Sequence, residues 1–442
     1  MYGIKLFIEM NYLEATDFLF KSLPIYQRQG KAAYKNTLDN TLKLDEYFEH
    51  PHRSFATIHV AGTNGKGSVS HMIASVLQAS GMRTGLYTSP HLLDYRERIR
   101  INGKAIPEEE VTAFVNGHQE IIREIKPSFF EMTVAMAFDY FAREEVDVAV
   151  IETGLGGRLD STNIITPVLT VITNISLDHT EFLGSHPEAI AREKGGIIKD
   201  KVPLIVGRSE ALTQKVLHSI AHERAAPLIS ASGKYKTRFR TMDMEGKMQL
   251  TIGKVGASSS KTIRCDLIGE YQQENVITAL TALEQLQKLK WKIAESHILD
   301  GFASVAASTG IRGRWETIGQ NPRSICDTAH NPDGIAAVIR QIRQTPWQRL
   351  HMVWGMVNDK DLDMILPLLP EEASYYFTPS SVPRSMDARV LAKGAREYGL
   401  KGFPYPSVEE AYRAAQKEAG VNDMIFTGGS TFVVADLLLM KN

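Results

Sequence analysis

At 442 residues the chain is too long for one ordinary domain and points to two or three. Its 43% hydrophobic and 23% charged residues exclude a disordered chain, and a formal net charge of −1 supplies no bulk field for nucleic acid or an anionic membrane. Two distant cysteines, Cys265 and Cys326, form neither a disulfide framework nor a zinc spacing and suit a reducing cytoplasm, and no apolar run is long enough to span a bilayer.

The first twenty residues carry Glu9, Glu14 and Asp17 and lack the apolar core of a secretory signal. "TIHVA" (57–61) reads as a short buried strand, and Val69, Met72, Ile73, Val76 and Leu77 then recur at helical spacing until Gly81. Between strand and helix lies "AGTNGKGS", a variant of the phosphate loop G-x-x-x-x-G-K-[ST]. Val60 stands at the first glycine, and Gly67 separates Lys66 from Ser68. The strand–loop–helix context suits an anion, because successive backbone N–H groups and the positive helix end face it. Lys66 can reach terminal phosphates, Ser68 can offer a hydroxyl to Mg²⁺, and Gly67 lets the backbone approach or turn more sharply. A tight turn alone is the plainer alternative.

"TGLYTSP" (84–90), "VDVAVIETG" (146–154), "VLTVITNIS" (168–176) and "VPLIVG" (202–207) read as further strands, with a helix over 130–145. Near-continuous apolar strands alternating with helices predict a parallel sheet covered on both faces, with ligands beyond the strands' carboxyl ends. Four chemically rich stretches fall there: 62–68, 87–91, 152–163 and 177–180. Glu152, ending an apolar strand, is placed for a hard cation such as Mg²⁺; Gly154, Gly156 and Gly157 imply close backbone approach. Asp178 and His179 follow another strand, while Lys194 reads by composition as a solvated helix end.

Residues 234–268 alternate and turn at Glu245-Gly246, predicting a small antiparallel excursion, and 273–289 predict a helix. "SVAASTGIRGR" (304–314) reads as a linker. Beyond it "RSICDTA", "RLHMVWGM", "ASYYFTP" and "DMIFTGG" alternate with helices, and Asp327, His330 and Asn331 end the first of these strands in what could be a turn and helix cap. The expected fold is α/β: a large P-loop ATPase domain (1–303) with a mostly parallel sheet and a small antiparallel excursion, a linker (304–313), and a smaller C-terminal Rossmann-like domain (314–442).

In order along the chain, "AGTNGKGS", "YTSPHL", "RERIRING", "ETGLGGRLDSTN", "SLDHTEFLG", "AREKGGIIK", "GEYQQEN", "GRWE" and "DTAHNPDG" resemble the dihydrofolate synthase/folylpolyglutamate synthase family of the Mur-ligase superfamily, from about residue 10 to the C-terminus. The resemblance implies an ATP- and Mg²⁺-dependent acid–amino-acid ligase that joins L-glutamate to dihydropteroate and to tetrahydrofolate or its polyglutamates. It implies that Asn64, Gly65, Lys66, Gly67 and Ser68 cradle the ATP phosphates, with Asn275, Arg314, Asp327 and His330 as further ATP contacts. Ser89, Glu152 and His179 would bind Mg²⁺, and Lys194 would carry a carbamate; Lys66, Lys194 and His179 are the implied catalytic residues. Ser128, Phe129, Phe130, Glu131, Leu159, Asp160 and Ser161 match the stretches that hold the pterin substrate. There the two phenylalanines could wall the ring and Asp160 accept its N–H groups, or they could be core residues and a turn cap.

Gly195-Gly196 departs from the family's more usual Ala-Gly, and "MNYLEA" resembles a family start, which makes Met10 a candidate initiator. The expectation is a bifunctional cytoplasmic monomer that binds neither nucleic acid nor membrane. The alternatives are a ligase restricted to folate extension, a peptidoglycan-precursor ligase, and a P-loop nucleotide switch.

Overall fold

The computed structural model describes residues 9–24 and 37–441, so the first eight residues, ahead of the candidate start at Met10, lie outside the described residues. Eight strands build the first sheet: β1 (Ala56–Ala61), β2 (Thr84–Tyr87), β3 (Ile99–Ile101), β4 (Lys104–Ala105), β5 (Val148–Glu152), β6 (Leu169–Asn174), β7 (Leu204–Arg208) and β8 (Leu228–Ser230). Their order is β4-β3-β2-β5-β1-β6-β7-β8, parallel except for β3 and β4 at one edge. All of β5 and β6 is buried, and all of β1 except Ala56, which is why these strands read as unbroken apolar runs.

Successive residues of β5 feed opposite cores. Val148 and Val150 pack with the helices Lys66–Ala79, Gln272–Lys288 and Glu295–Ala303, while Ala149 and Ile151 pack with Tyr12–Ser22, Glu108–Gly117 and Phe129–Arg143. The excursion is a three-stranded antiparallel sheet, β9 (Tyr235–Met242), β10 (Met248–Lys254) and β11 (Ser260–Cys265), whose Met248, Leu250, Ile252 and Ile263 join the first of these cores.

The stretch read as a linker is partly helical. Val305–Thr309 is a short helix with both end residues buried. Thr309 Oγ1 meets His71 Nδ1 at 2.7 Å and Ser308 Oγ meets Ser75 Oγ at 2.7 Å, so this segment sits on the helix Lys66–Ala79. Its Ala/Ser composition resembles a loop, but small side chains also let two helices approach closely. The passage to the second sheet begins at Gly310 (φ +71°).

The second sheet contains β12 (Glu316–Gln320), β13 (Arg323–Cys326), β14 (Leu350–Trp354), β15 (Ser374–Phe377), β16 (Lys401–Pro404) and β17 (Met424–Gly428), in the order β12-β13-β17-β14-β15-β16. Only the β12–β13 pair is antiparallel. Helices Pro332–Gln344 and Ala388–Glu397 cover one face; Val408–Glu418 and Thr431–Leu439 cover the other. The molecule is thus an α/β protein with a large, mostly parallel sheet and a separate C-terminal α/β sheet. The loops after β1, β2, β5, β6, β13, β14 and β17 all reach the space between them.

Candidate functional site

The loop after β1 is bound to the end of β6. Asn64 N–H donates to Asn174 Oδ1 at 2.7 Å, Thr63 N–H to Asn174 O at 3.0 Å, and Thr173 Oγ1 to Asn64 O at 2.6 Å. Gly65 caps the helix Lys66–Ala79 in the left-handed region (φ +81°), where a Cβ would also overlap Asn275 Oδ1. Gly67 lies within the first helical turn, and its freedom matters for space rather than for torsion. A Cβ there would stand 3.7 Å from both Arg314 Nη2 and Glu152 Oε2, in the gap between a cation and a carboxylate that a phosphate group and its counter-ion would occupy. The misplaced glycine of the loop therefore keeps that gap clear. Ser68 Oγ accepts from Gln272 Nε2 at 3.2 Å.

Charge in this region is buried and crowded. Lys66 Nζ donates to Gly62 O at 3.0 Å and Thr63 O at 3.1 Å. Lys194 is 4% exposed and donates to the same Gly62 O at 2.8 Å. Burial, then the neighbouring Lys66 cation, lowers its pKa to about 7. The solvated helix end expected from composition is therefore wrong: Lys194 reaches the loop from inside the protein. Glu152, also 4% exposed, receives one backbone N–H, from Ser89 at 3.3 Å. Burial pushes its carboxyl up to about 7 against the opposing pull of Lys66.

Among the described residues no three His, Cys, Asp or Glu side chains converge as a metal cluster. Glu152 nonetheless fits a hard dication, because a desolvated carboxylate with a single backbone donor regains its charged form beside a cation. Ser89 lines both of the site's cavities, whereas His179 lines the second. His179 is in the left-handed region (φ +50°), and burial lowers its pKa to about 4, so it is a neutral imidazole at neutral pH. Burial would raise the neighbouring Asp178, but the His330 hydrogen bond and the Lys360 cation hold it well below the carboxylate range. Lys360 Nζ lies 2.8 Å from Asp178 Oδ1.

All nine residues expected to contact ATP, Asn64–Ser68, Asn275, Arg314, Asp327 and His330, line one cavity of about 540 Å³ between the sheets, together with Glu152 and Ser89. Asp327 is pushed up by burial, and its Oδ2 accepts from Tyr271 O–H and from Trp315 N–H (2.7 Å). Arg314 donates from Nη1 to Thr328 Oγ1, while its Nη2 is the atom that lies beside Gly67.

A second cavity of about 240 Å³ is lined by all seven residues expected to hold a pterin: Ser128, Phe129, Phe130, Glu131, Leu159, Asp160 and Ser161. It shares Ser89, Pro90, His330 and Thr431 with the first, so the two adjoin. The individual residues divide between the two readings of this stretch. Phe129 is 3% exposed and stacks on Phe20 at 5.0 Å, a core residue, whereas Phe130 is half-buried and lies against Gly154, where a Cβ would meet its ring at 2.5 Å. Ser128 and Glu131 form the capping box of Phe129–Arg143. Asp160 is not a free acceptor. Its Oδ2 takes Gly154 N–H (2.8 Å) and Leu155 N–H (2.9 Å), and its Oδ1 takes Thr162 N–H (3.0 Å) and Oγ1–H (2.5 Å), so it shapes the glycine turn and would bind a ring only by sharing these oxygens.

Sequence reasoning missed Arg98, Lys360, Arg384 and Phe432, which also line the second cavity. Arg98 is 2% exposed, donates from Nε to His91 Nδ1 at 2.7 Å and lies 5.0 Å from the Phe129 ring centre. The quoted "RERIRING" contains it, but an arginine beside a short strand carries no mark of burial. The other three come from the second domain, far away in sequence.

Comparison with known proteins gives a consistent picture. Residues 60–283 match the Mur ligase middle domain, and residues 313–431 match the Mur ligase glutamate ligase domain. The chain is 33% identical to the dihydrofolate synthase/folylpolyglutamate synthase of Bacillus subtilis over 92% of its own length and 95% of that protein. It is 31% identical to a probable bifunctional folylpolyglutamate synthase/dihydropteroate synthase of Haloferax volcanii over 97% of its own length, but spans only 50% of that longer protein. The structure of Mycobacterium tuberculosis folylpolyglutamate synthase complexed with ADP superposes with a TM-score of 0.88 at 29% identity, covering 98% of both chains.

The Gly67 geometry yields a separable outcome. Gly67→Ala has room for its methyl in the protein itself, so the thermal midpoint stays near wild type. ATP-dependent turnover falls by about 100-fold, because the methyl displaces the phosphate by a fraction of an ångström to an ångström. Steady-state kinetics beside a melting curve check both halves.

Proposed function

The chain belongs to the dihydrofolate synthase/folylpolyglutamate synthase family of Mur ligases, and from that premise we propose that it joins L-glutamate both to dihydropteroate and to tetrahydrofolate or its polyglutamates. It is an ATP-dependent ligase with ATP and Mg²⁺ as its nucleotide and metal. The observation that supports this reading is that the two cavities adjoin at Ser89, Pro90, His330 and Thr431. An acid seated against Phe130 and Arg98 extends its carboxylate through this seam toward the phosphate loop.

A carboxylate does not condense with an amine in neutral water, so it is first phosphorylated. Its oxygen attacks the γ-phosphorus of ATP in line and ADP departs, leaving an acyl phosphate. Lys66, the N–H groups of the loop and Arg314 neutralise the charge that spreads over the transferring phosphoryl group. The α-amine of glutamate, deprotonated, then adds to the acyl carbon, and the tetrahedral intermediate collapses to the amide with loss of phosphate. Lys360 and Arg384, lining the second cavity from the C-terminal side, are the cations suited to the carboxylates of the incoming glutamate. Glu152, Ser89 and His179 are the residues we assign to Mg²⁺, whose chemistry is charge neutralisation on the phosphates. The site draws on both sheets, so docking of the C-terminal domain excludes water from the acyl phosphate.

Lys194 is assigned a carbamate. The reaction needs a neutral amine, which adds to CO₂ and releases a proton; an ordinary lysine near 10.5 is almost wholly charged at neutral pH, while one held at about 7 is roughly half neutral. The resulting anion would relieve the crowding between Lys194 and Lys66. We assign a monomer working in a reducing cytoplasm, a reading that the two buried free cysteines support; among the described residues no helix is long and apolar enough to cross a membrane.

Two outcomes test this. ADP release is expected only when Mg·ATP, glutamate and an acid are all present, with product from dihydropteroate and from tetrahydrofolate alike. Product from tetrahydrofolate alone would leave an enzyme of folate extension, and acid-independent hydrolysis would leave a nucleotide switch. For Lys194, ¹³C-labelled bicarbonate is expected to give a carbamate resonance that disappears in Lys194→Ala; its absence from active wild-type protein would refute the modification.

A further inference from the structure

One carboxylate of the C-terminal domain gathers donors from the domain opposite. Asp333 is the second residue of the helix Pro332–Gln344. Its Oδ2 accepts from Asn64 Nδ2 at 3.1 Å, Ser176 Oγ at 3.0 Å and Asn174 Nδ2 at 3.3 Å. Arg208 Nη2 lies 2.6 Å from Oδ1 and 2.7 Å from Oδ2. These donors come from the phosphate loop, from the end of β6 and the residues just after it, and from the end of β7. The N-cap beside it takes part: Asn331 and Asn64 exchange side-chain hydrogen bonds at 3.1 and 2.8 Å, while Asn331 Oδ1 also caps its own helix through Gly334 N–H at 2.9 Å.

The orientations are mutually fixed. Asn174 Oδ1 accepts the backbone N–H of Asn64, which turns the Asn174 amide nitrogen toward Asp333. Both ends of the Asn64 side-chain amide are held from the C-terminal domain, Nδ2 by Asn331 and Asp333, Oδ1 by Asn331. Asn64 precedes the glycine that caps the phosphate-facing helix, so its side-chain position and the path of the loop are coupled.

We propose that Asp333 is a positioning residue for the ligase reaction: it ties the phosphate loop to the docked C-terminal domain, adding to the loop's own ties to Asn174 and Thr173 a hold on the Asn64 side chain that exists only when the site is closed. The proposal rests on the phosphate-loop reading of the preceding subsection. When the domain swings away, Asn64 loses all of its side-chain partners and Arg208 loses its closest carboxylate together. Phosphoryl transfer is then confined to the closed state, where the acyl phosphate is protected from water. Arg208 retains Glu274 at 3.7 Å as a second carboxylate, so removing Asp333 does not strand a bare cation and the fold survives.

The test uses full-length Asp333→Ala, Asp333→Glu and Arg208→Gln, with the Asp333→Ala/Arg208→Gln double variant. Expected is a fall in kcat of about 10- to 100-fold for Asp333→Ala, with KM for the pterin acid within about threefold and an unchanged thermal midpoint. Partial rescue by Asp333→Glu and a double variant no worse than the poorer single are also expected. Small-angle scattering with ADP bound should show a larger radius for Asp333→Ala than for wild type. Wild-type kcat in Asp333→Ala overturns the lock, as does a loss confined to KM for ATP, which would make Asp333 a nucleotide contact, or a loss that tracks a lowered melting point. Absence of ligation by the wild-type chain would instead remove the functional reading, and the scattering comparison would still decide the lock.

Discussion

Two ammonium groups meet at one backbone carbonyl. Lys66 and Lys194 lie 3.0 and 2.8 Å from Gly62 O, and so less than about 6 Å apart, in a region closed to solvent around Lys194. Were both charged, their repulsion at an effective dielectric near 20 would be about 3 kcal/mol. The protein resolves this by holding Lys194 near neutrality, and nearby it keeps Glu152 desolvated to a similar degree. The Lys66 ammonium, the buried Lys194 nitrogen and the desolvated Glu152 carboxylate crowd one space beside the loop, an arrangement suited to a polyanion with its counter-ion.

The rest of the architecture keeps these groups in register. β1, β5 and β6 are neighbours in the sheet, so the loop after β1, the end of β5 with Glu152 and the tie from β6 arrive side by side. The glycine turn after β5 is held by Asp160 beneath the second cavity, and the C-terminal sheet brings Arg314, Asp327 and Lys360 from the far side. The two cavities thus adjoin, and residues of both domains, Ser89 and Pro90 with His330 and Thr431, line both.

What the sequence could reveal followed the range of each interaction. The central strands were legible because burial on both faces leaves an unbroken apolar run. The strands β8, β12 and β16 were not, because they are short, partly exposed and carry polar residues such as Lys401 and Glu316. The ordered motifs sorted their residues into the two groups that line the two cavities. They left open whether the phenylalanines wall a ring or fill the core and whether Asp160 caps a turn, and they did not reveal that Ser128 and Glu131 spend their hydrogen bonds on a helix cap. The burial of Lys194 depends on packing against a loop 132 residues away, and the contact between Asn64 and Asp333 spans 269 residues; neither leaves a local trace. The helix Val305–Thr309 was hidden for the opposite reason, since the small residues that permit its close packing are also those of a flexible connection.

The central claim is that a phosphate passes through the substrate's own carboxylate. Dihydropteroate labelled with ¹⁸O in both carboxylate oxygens, turned over with Mg·ATP and glutamate, tests it without any mutation. The account requires one labelled oxygen to appear in the inorganic phosphate for each amide formed and the other to remain in the product. Unlabelled phosphate, with amide formed at the normal rate, would contradict it.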